Sequence, residues 1–227
     1  MKFAVIGLGY FGASLCRELA ESGHEVIAVD NDSTHLKDLQ ELSVLAVEAD
    51  GTELEALEQI GVGQVDTAIV AIGEAFEASL VITAHCQDLG VKNVYTRVIN
   101  DVHARLLDLM KVSGKIRAET MAAAYFSRQL SNEAVRRYFG LDAEHGIVEM
   151  AVPDFMVGQT VEEAKLRKKY RLNLITIRKA PRSEEESEIP EKGSKVVGTP
   201  GPDTLLKEGD YLIVFGKLTD IDHLCQG

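Results

Sequence analysis

The sequence contains no tryptophan, only five prolines and three cysteines, and fewer basic than acidic residues. Its 24 lysines and arginines are outnumbered by 36 aspartates and glutamates, so the formal net charge is −12. Proteins that hold nucleic acid through its phosphates usually carry a basic face, and this composition therefore argues against a nucleic-acid partner. A small phosphorylated ligand is compatible with it, because backbone amides bind phosphate without net positive charge.

Long apolar runs and clustered metal ligands are also missing. No segment approaches the ~20 apolar residues needed to cross a bilayer, and the first residues show no signal-peptide pattern. Cys16, Cys86 and Cys225 are far apart and form no CxxC motif, and the six histidines are scattered. These absences predict a cytoplasmic protein with reduced thiols and no zinc site.

The sequence does contain a regular alternation of short apolar runs and helical patterns over its first half. Such alternation predicts βαβ units and a parallel sheet covered by helices on both faces, which is a doubly wound α/β fold. The expected strands are 3–6, 25–30, 44–47, 67–72, 93–98 and 115–118, and the expected helices are 11–21, 34–42, 53–60, 75–89 and 102–112.

The second half of the chain has a different pattern. A long helical stretch without proline or glycine, 119–139, leads to an expected domain boundary near 140–146. Beyond it we expect a small α+β module. Its predicted elements are strands 147–152, 172–177 and 211–215, helices 160–167 and 218–224, and a solvated loop over 182–202. The resulting division is a domain over 1–118, a crossover or interface helix over 119–142 and a module over 143–227.

The strongest functional signal is the glycine motif Gly7-Leu8-Gly9-Tyr10-Phe11-Gly12. It follows a strand and opens a helix, and Asp30 ends the next strand 18 residues after Gly12. This arrangement is typical of Rossmann-like dinucleotide-binding folds. The first glycine permits the tight turn, the second lets the backbone approach phosphate and the third lets helix pack on strand. The motif predicts phosphate binding at the helix N-terminus.

Acidic residues at the ends of strands two and three extend this prediction. A carboxylate at Asp30 favours a ribose with free hydroxyls and disfavours NADP, whose 2′-phosphate it would repel. Asp32 either shares that role or caps the following helix. Asp50, followed by Gly51, is a candidate acceptor for an adenine amino group, with Thr52 capping the next helix; a capping role alone is the alternative.

The fourth and fifth strands end at the same edge of the predicted sheet. Ile72, Gly73 and Glu74 follow strand four, and Arg97 ends strand five. Ligands of doubly wound folds bind at the carboxyl edge of the sheet, so these residues are candidate ligand contacts. Arg97 there either pairs with phosphate or forms a surface ion pair.

No catalytic constellation accompanies the cleft. The sequence has no Tyr-x-x-x-Lys, no nucleophile elbow and no HExxH motif, and the C-terminal module offers no recognisable substrate pocket. We therefore expect a protein that is not an enzyme. Two alternatives remain: an NAD-dependent oxidoreductase that borrows a partner's substrate site, and an NAD-binding redox-sensing module.

Several segments together resemble the RCK family, also called KTN, of cytosolic regulators of potassium uptake systems and potassium channels. In the first half they are 3–12, 23–26, 29–30 and 70–73, and in the second half 157–161, 172–178 and 206–214. The resemblance covers nearly the whole chain, in the order of a single-RCK, Ktr-type subunit.

The resemblance implies regulation. Such subunits are cytoplasmic, lie at the inner face of the cell membrane, and form dimers that assemble into an octameric ring beneath a potassium-translocating membrane subunit. They bind ATP, ADP or NAD(H), and exchange of the nucleotide changes the shape of the ring. The family's cleft residues match the following positions here: Gly7, Gly9, Gly12, Asp30, Asp50, Gly51, Ile72, Gly73 and Arg97.

Three positions bear on the ligands. At the position of Tyr10, many Ktr-type members have an arginine that reaches the nucleotide phosphate across the dimer. Tyrosine does not supply that charge, so NAD or ADP is favoured over ATP as the ligand. Glu119 matches a glutamate that holds Mg²⁺ or Ca²⁺ at a subunit interface; the alternative is a charge that complements the helix dipole. Arg167 lies in the helix where some relatives bind cyclic di-AMP.

Overall fold

The computed structural model describes residues 1–39, 44–132, 134–179 and 195–226. They form two compact units, Met1–Thr120 and Met121–Gly227, which we call the N-terminal and the C-terminal unit. No helix among these residues is long and apolar enough to cross a membrane.

The N-terminal unit is built on a parallel sheet of six strands in the order β3-β2-β1-β4-β5-β6. This confirms the predicted doubly wound fold. The order reverses between β1 and β4, so the carboxyl ends of these strands flank the crevice in which ligands of such sheets bind. The strands are β1 Lys2–Ile6, β2 Glu25–Asp30, β3 Val44–Glu48, β4 Thr67–Val70, β5 Asn93–Arg97 and β6 Gly114–Ile116.

Helices cover this sheet because its central strands are apolar on both sides. Along β1, Ala4 and Ile6 pack into one buried cluster and Val5 into another, which places a core on each face. Asn100 caps the fourth helix by accepting a hydrogen bond from the backbone N–H of His103 at 2.9 Å. The helices are α1 Tyr10–Glu21, α2 Leu54–Ile60, α3 Phe76–Asp88 and α4 Asp101–Leu109.

One predicted helix of this unit differs from the structure. The segment expected as a helix over 34–42 begins as a 3₁₀-helix, Ser33–Leu39, and residues 40–43 lie outside the described part of the chain. An aspartate turn starts it: the backbone N–H of Thr34 donates to Oδ1 of Asp32 at 2.9 Å. Asp32 thus opens the segment, as the capping alternative expected.

The C-terminal unit contains an antiparallel sheet of four strands in the order β7-β8-β10-β9. Its helices and the 3₁₀-helix Asp154–Met156 contribute side chains to one buried core, which includes Met150, Met156 and Leu212. The strands are β7 Val135–Gly140, β8 His145–Ala151, β9 Asn173–Arg178 and β10 Tyr211–Lys217, and the helices are α6 Val161–Ala164, α7 Leu166–Tyr170 and α8 Leu218–Gln226.

The expected helix over 119–139, extended to 142 as a connecting segment, is wrong in its second half. Helix α5 spans Ala118–Ser131, and the chain then enters strand β7. The side chain of Asn132 accepts a hydrogen bond from the N–H of Ala134 at 3.1 Å, which turns the chain. Val135 is buried in the core of the C-terminal unit. Tertiary burial therefore decides the conformation of residues 135–139, which contain no helix breaker.

The helix expected over 160–167 is divided into α6 and α7. A capping box starts α6: the N–H of Thr160 donates to Glu163 at 2.8 Å, and the N–H of Glu163 donates to Thr160 at 3.2 Å. Lys165 then has a left-handed backbone with φ +46°, and Arg171, with φ +57°, ends α7 in the same conformation. Both residues are non-glycine L-amino acids in a region that disfavours a Cβ.

The loop expected over 182–202 falls largely outside the described residues. Residues 182–194 are not among them. In the part that is described, Val196 forms an isolated antiparallel bridge with Arg178 at the end of β9.

Candidate functional site

The glycine motif forms a sharp turn between β1 and α1. Gly7 has φ +94°, and its N–H donates to the carbonyl oxygen of Val29 at 2.9 Å. A Cβ on Gly12 would collide with the carbonyl oxygen of Gly7, so the helix can pass the strand only because residue 12 has no side chain. These two glycines therefore serve the geometry of the turn.

Gly9 differs from its two neighbours in the motif. It is the N-cap of α1 with φ −59°, and a Cβ on it would meet no atom within 4 Å. The first turn of α1 contains no acidic residue, and by helix geometry its leading N–H groups lack partners within the helix. Tyr10 begins the helix with 98% of its surface exposed. Open space in front of free N–H groups is what an anion needs.

Asp30 holds this turn from the neighbouring strand. Its Oδ2 accepts a hydrogen bond from the backbone N–H of Leu8 at 2.5 Å, and its Oδ1 accepts one from the N–H of Asp32 at 2.8 Å. The Nδ1 atom of His35 lies 3.2 Å from the same Oδ1. A carboxylate oxygen accepts more than one hydrogen bond, so a ribose hydroxyl at Asp30 remains our prediction.

Asp32 and Asp50 form the same small motif at the ends of β2 and β3. In each, one carboxylate oxygen accepts hydrogen bonds from the N–H and the hydroxyl of a threonine two residues on, at 2.9 and 2.7 Å. The threonines are Thr34 and Thr52. These bonds, first of all those from the threonine hydroxyls, lower the pKa of both aspartates.

Thr52 does not cap the helix that follows. Its side chain bonds Asp50, and the N-cap of α2 is Glu53, without a side-chain cap bond. The capping prediction for Thr52 is therefore wrong, because Thr52 closes a turn with Asp50 and the helix begins one residue later. The carbonyl oxygen of Thr52 lies 2.9 Å from Nε2 of His85 on α3.

Gly51 and Ile72 pack behind the turn. A Cβ on Gly51 would come within 3.0 Å of Ile6 and Ile82, and one on Gly7 would come within 2.8 Å of Ile72. Gly51 and Ile72 are thus closely packed beside β1 and the glycine turn, while Glu74 is exposed in the segment before α3.

Arg97 forms an ion pair with Glu119 in the first turn of α5. The alternative of an ion pair for Arg97 is thus what the structure shows, with the partner that we had considered for a divalent cation. The hydrogen bond from Arg97 lowers the pKa of the Glu119 carboxyl. The guanidinium also lies against Gly73 and 5.5 Å from the centre of the Phe11 ring.

The described residues contain no group of three or more carboxylates, cysteines or histidines that could hold a metal ion. Glu119 offers a single carboxylate, and Arg97 already occupies one of its oxygens. Mg²⁺ and Ca²⁺ prefer several oxygen ligands, so Glu119 by itself does not fit a divalent cation.

Leu8 and His35 contact Asp30 in the structure, and neither was among the candidate residues selected from the sequence. The signal for Leu8 was nevertheless present. Parallel neighbours end at the same edge, so the turn after β1 must face the last residue of β2. In the C-terminal unit, Arg167 is exposed on α7, and its role toward cyclic di-AMP stays a prediction.

Comparison with protein-family models agrees with this architecture. The TrkA-N domain model matches residues 3–116, and the TrkA-C domain model matches residues 147–226. The chain belongs to the RCK family. The resemblance noted in the sequence is thereby confirmed, and RCK membership agrees with the expectation of a protein that is not an enzyme.

Relatives match this RCK chain over nearly its whole length. The Ktr system potassium uptake protein C of Bacillus subtilis (strain 168) is 31% identical over 98% of this chain and 95% of its own. The Ktr system potassium uptake protein A of the same organism is 29% identical, over 97% and 93%. The protein A of Vibrio alginolyticus is 26% identical, over 95% and 92%.

Solved structures share the fold. The GsuK channel bound to NAD superposes with a TM-score of 0.62 at 17% identity, covering 98% of this chain but only 38% of the channel chain. The Shewanella denitrificans Kef CTD in its AMP-bound form gives 0.51 at 19% identity, over 58% of this chain and 80% of that one. At these identities the likeness establishes the RCK fold and no more.

Proposed function

We propose that this chain is a nucleotide-binding regulatory subunit that gates a membrane potassium transporter or channel. One observation carries the proposal: a glycine turn with open space in front of its helix N-terminus, fixed by Asp30, occurs in a chain whose full-length relatives are potassium uptake proteins. The ligand binds one conformation of the protein more tightly than another. Its binding to this cleft therefore shifts the population toward the conformation that it prefers.

The ligand of the cleft is an adenine nucleotide, ATP or ADP or NAD(H). The free N–H groups of α1 suit its phosphates, and Asp30 suits a ribose with unmodified hydroxyls. Two proteins of the same fold are named with such ligands, the GsuK channel with NAD and the Kef domain with AMP.

The partner is an integral-membrane subunit that translocates potassium. The relatives are named as Ktr system potassium uptake proteins, which supports a potassium-translocating partner. We propose that this chain assembles into dimers and an octameric ring at the cytoplasmic face of the cell membrane. The domain over 1–118 would bind the nucleotide, and the module over 143–227 would be the regulatory RCK part. In a ring, a second copy would have to complete any Mg²⁺ or Ca²⁺ site at Glu119.

Thermal unfolding of the purified chain tests the ligand assignment. ATP, ADP, NAD, NADH, NADP and cyclic di-AMP are each added with and without Mg²⁺. A ligand at about 100 times its Kd adds about 2.7 kcal/mol of stability. We expect a clear rise in Tm with adenine nucleotides and a smaller one with NADP. A Tm that no nucleotide changes would contradict the cleft assignment.

Potassium-limited growth tests the physiological assignment. The chain is expressed with its own genomic potassium-translocating partner in bacteria that lack other potassium uptake. We expect growth that depends on the regulatory chain, and loss of that growth when Gly9 is replaced by alanine. Equal growth with and without the chain would contradict a gating role, whatever nucleotide it binds.

A further inference from the structure

The guanidinium of Arg97 lies where three parts of the N-terminal unit meet. It pairs with Glu119 at the start of α5, its Cζ is 5.5 Å from the ring centre of Phe11 at the start of α1, and its Nη1 is 3.5 Å from the carbonyl oxygen of Ala71 after β4. Gly73 makes the room, since a Cβ there would come within 2.8 Å of Nη1. One cation thus touches the glycine turn, the end of β4 and the helix that leaves this unit.

Of the contacts that Arg97 makes, the one with Glu119 is exposed to solvent. The side chain of Arg97 is 20% exposed, whereas that of Glu119 is 62% exposed. Pairs in which one partner is this exposed contribute little to stability, because water screens them. The Nε of Arg97 is buried without a hydrogen-bond partner among the described residues. The guanidinium therefore has donor capacity left, and its present anion is weakly held.

A phosphate in the cleft would offer Arg97 a stronger anion. Phe11 belongs to the first turn of α1, and the Cζ of Arg97 lies 5.5 Å from its ring centre, so a phosphate bound at the free N–H groups of this turn would lie near the guanidinium. Arginine binds phosphate through two parallel hydrogen bonds, and these charge-assisted bonds are stronger than neutral ones. Glu119 and the ligand phosphate would then need the same donors.

We propose that Glu119 is an internal competitor of the ligand for Arg97. A nucleotide phosphate binds the guanidinium in place of Glu119 and so releases the first turn of α5. A more highly charged phosphate chain displaces Glu119 more completely. This inference rests on the nucleotide-binding function proposed above and gives that function a specificity-determining pair. Because coupling is reciprocal, a substitution that weakens the Arg97–Glu119 pair must increase the affinity for the ligand.

A double-mutant cycle on the full chain tests the competition. The dissociation constants of AMP, ADP and ATP are measured by calorimetry without Mg²⁺ for the parent, Glu119→Gln, Arg97→Gln and the double variant. We expect Glu119→Gln to bind ADP about three-fold more tightly, the size of one exposed ion pair, with a larger gain for ATP than for AMP. Arg97→Gln should bind ADP more weakly, and in its background Glu119→Gln should give no gain.

Glu21→Gln is the matched control. It removes one exposed carboxylate from the last turn of α1, a helix of 12 residues that starts at the cleft and is about 18 Å long. We expect no change in nucleotide affinity, so that a gain in Glu119→Gln cannot be assigned to net charge alone. Hydrogen exchange gives a second measurement: ADP should speed exchange at the first turn of α5 in the parent but not in Arg97→Gln.

The possible results separate the two proposals. If neither the parent nor any variant binds a nucleotide, the proposed function fails. If the parent binds but Glu119→Gln binds ADP equally well or more weakly, the competition is overturned while the cleft assignment stands. If the titrations are repeated with Mg²⁺, a loss of affinity in Glu119→Gln there, together with no gain in its absence, would overturn it too and would indicate a cation at Glu119. A gain that persists when Arg97 is absent would also overturn it.

Discussion

The carboxylate of Asp30 accepts a hydrogen bond from the backbone N–H of Leu8 at 2.5 Å. The last residue of β2 thereby fixes the conformation of the turn that follows β1. A single acidic residue satisfies a backbone donor of the glycine motif in this arrangement, and we propose that its remaining acceptor capacity binds a ribose hydroxyl.

Replacement of Asp30 by alanine should weaken adenine-nucleotide binding about ten-fold, or about 1.4 kcal/mol. Both the turn and the proposed ribose acceptor depend on this carboxylate. Calorimetric titration with ADP and NAD measures the loss. Asp66→Ala is a suitable control, because Asp66 accepts the N–H of Lys2 at 2.8 Å at the opposite edge of the sheet. Unchanged affinity in Asp30→Ala would remove this residue from the site.

Alanine at Gly12 should lower mainly stability, whereas alanine at Gly9 should lower mainly nucleotide affinity. At Gly12 the new Cβ meets the carbonyl of Gly7, so we expect a loss of about 3 kcal/mol in unfolding free energy. At Gly9 nothing lies within 4 Å, so stability should fall by about 1 kcal/mol or less. Because the methyl group would fill the open space that we propose for phosphate, nucleotide affinity should drop in Gly9→Ala. Denaturant unfolding and nucleotide titration of both variants measure these effects. Normal nucleotide binding by Gly9→Ala would contradict a phosphate site at Gly9.

The thiols should resist modification in the native state. Burial raises the pKa of Cys16 and of Cys86 to about 12, and it also raises the pKa of Cys225, which is only partly buried. Thiolate is the reactive form, so at about pH 8 a disulfide reagent should react slowly, and first with Cys225. Cys225→Ser should abolish the early reaction, and unfolding should expose the other two thiols. Fast reaction of the native Cys225→Ser variant would contradict their burial.

His103 should make stability depend on pH in the mildly acidic range. Its Nδ1 accepts a hydrogen bond from the N–H of Ile99 at 3.2 Å, and burial lowers its pKa. The unfolded chain therefore binds a proton near pH 6.5 while the folded chain does not, so stability is lost as the pH falls from there toward the lower folded-state value. Urea unfolding at about pH 7.5 and about pH 5.5 measures this loss. His103→Gln should lose less stability over the same interval, and an identical loss would refute the assignment.

The sequence predicted the N-terminal unit well because its signals are local. Short buried strands, glycines at fixed positions and an acidic residue at a strand end all lie within one βαβ unit. Gly7, Gly9 and Gly12 can be assigned distinct roles before any coordinates are known, and the structure supports a division between packing at Gly12 and openness at Gly9.

The errors have tertiary causes. Residues 135–139 contain no helix breaker, and the strand is selected by pairing with β8 and by the burial of Val135 in the core of the C-terminal unit. Arg97 and Glu119 were each considered separately, since a 22-residue separation gives no sign of contact. At Thr52 the difference is local: the threonine closes a turn with Asp50, and α2 begins one residue later, with Glu53 as its N-cap.

The left-handed residues at the two ends of α7 bear on how stable the protein can become. Lys165 and Arg171 each keep a Cβ in a conformation that costs an L-residue roughly 1–2 kcal/mol, in a helix of only five residues. Glycine at either position would remove that strain, although it would give back part of the gain as chain entropy. The C-terminal unit is therefore less stable than it could be, and replacing either of these two exposed residues by glycine should raise its thermal stability.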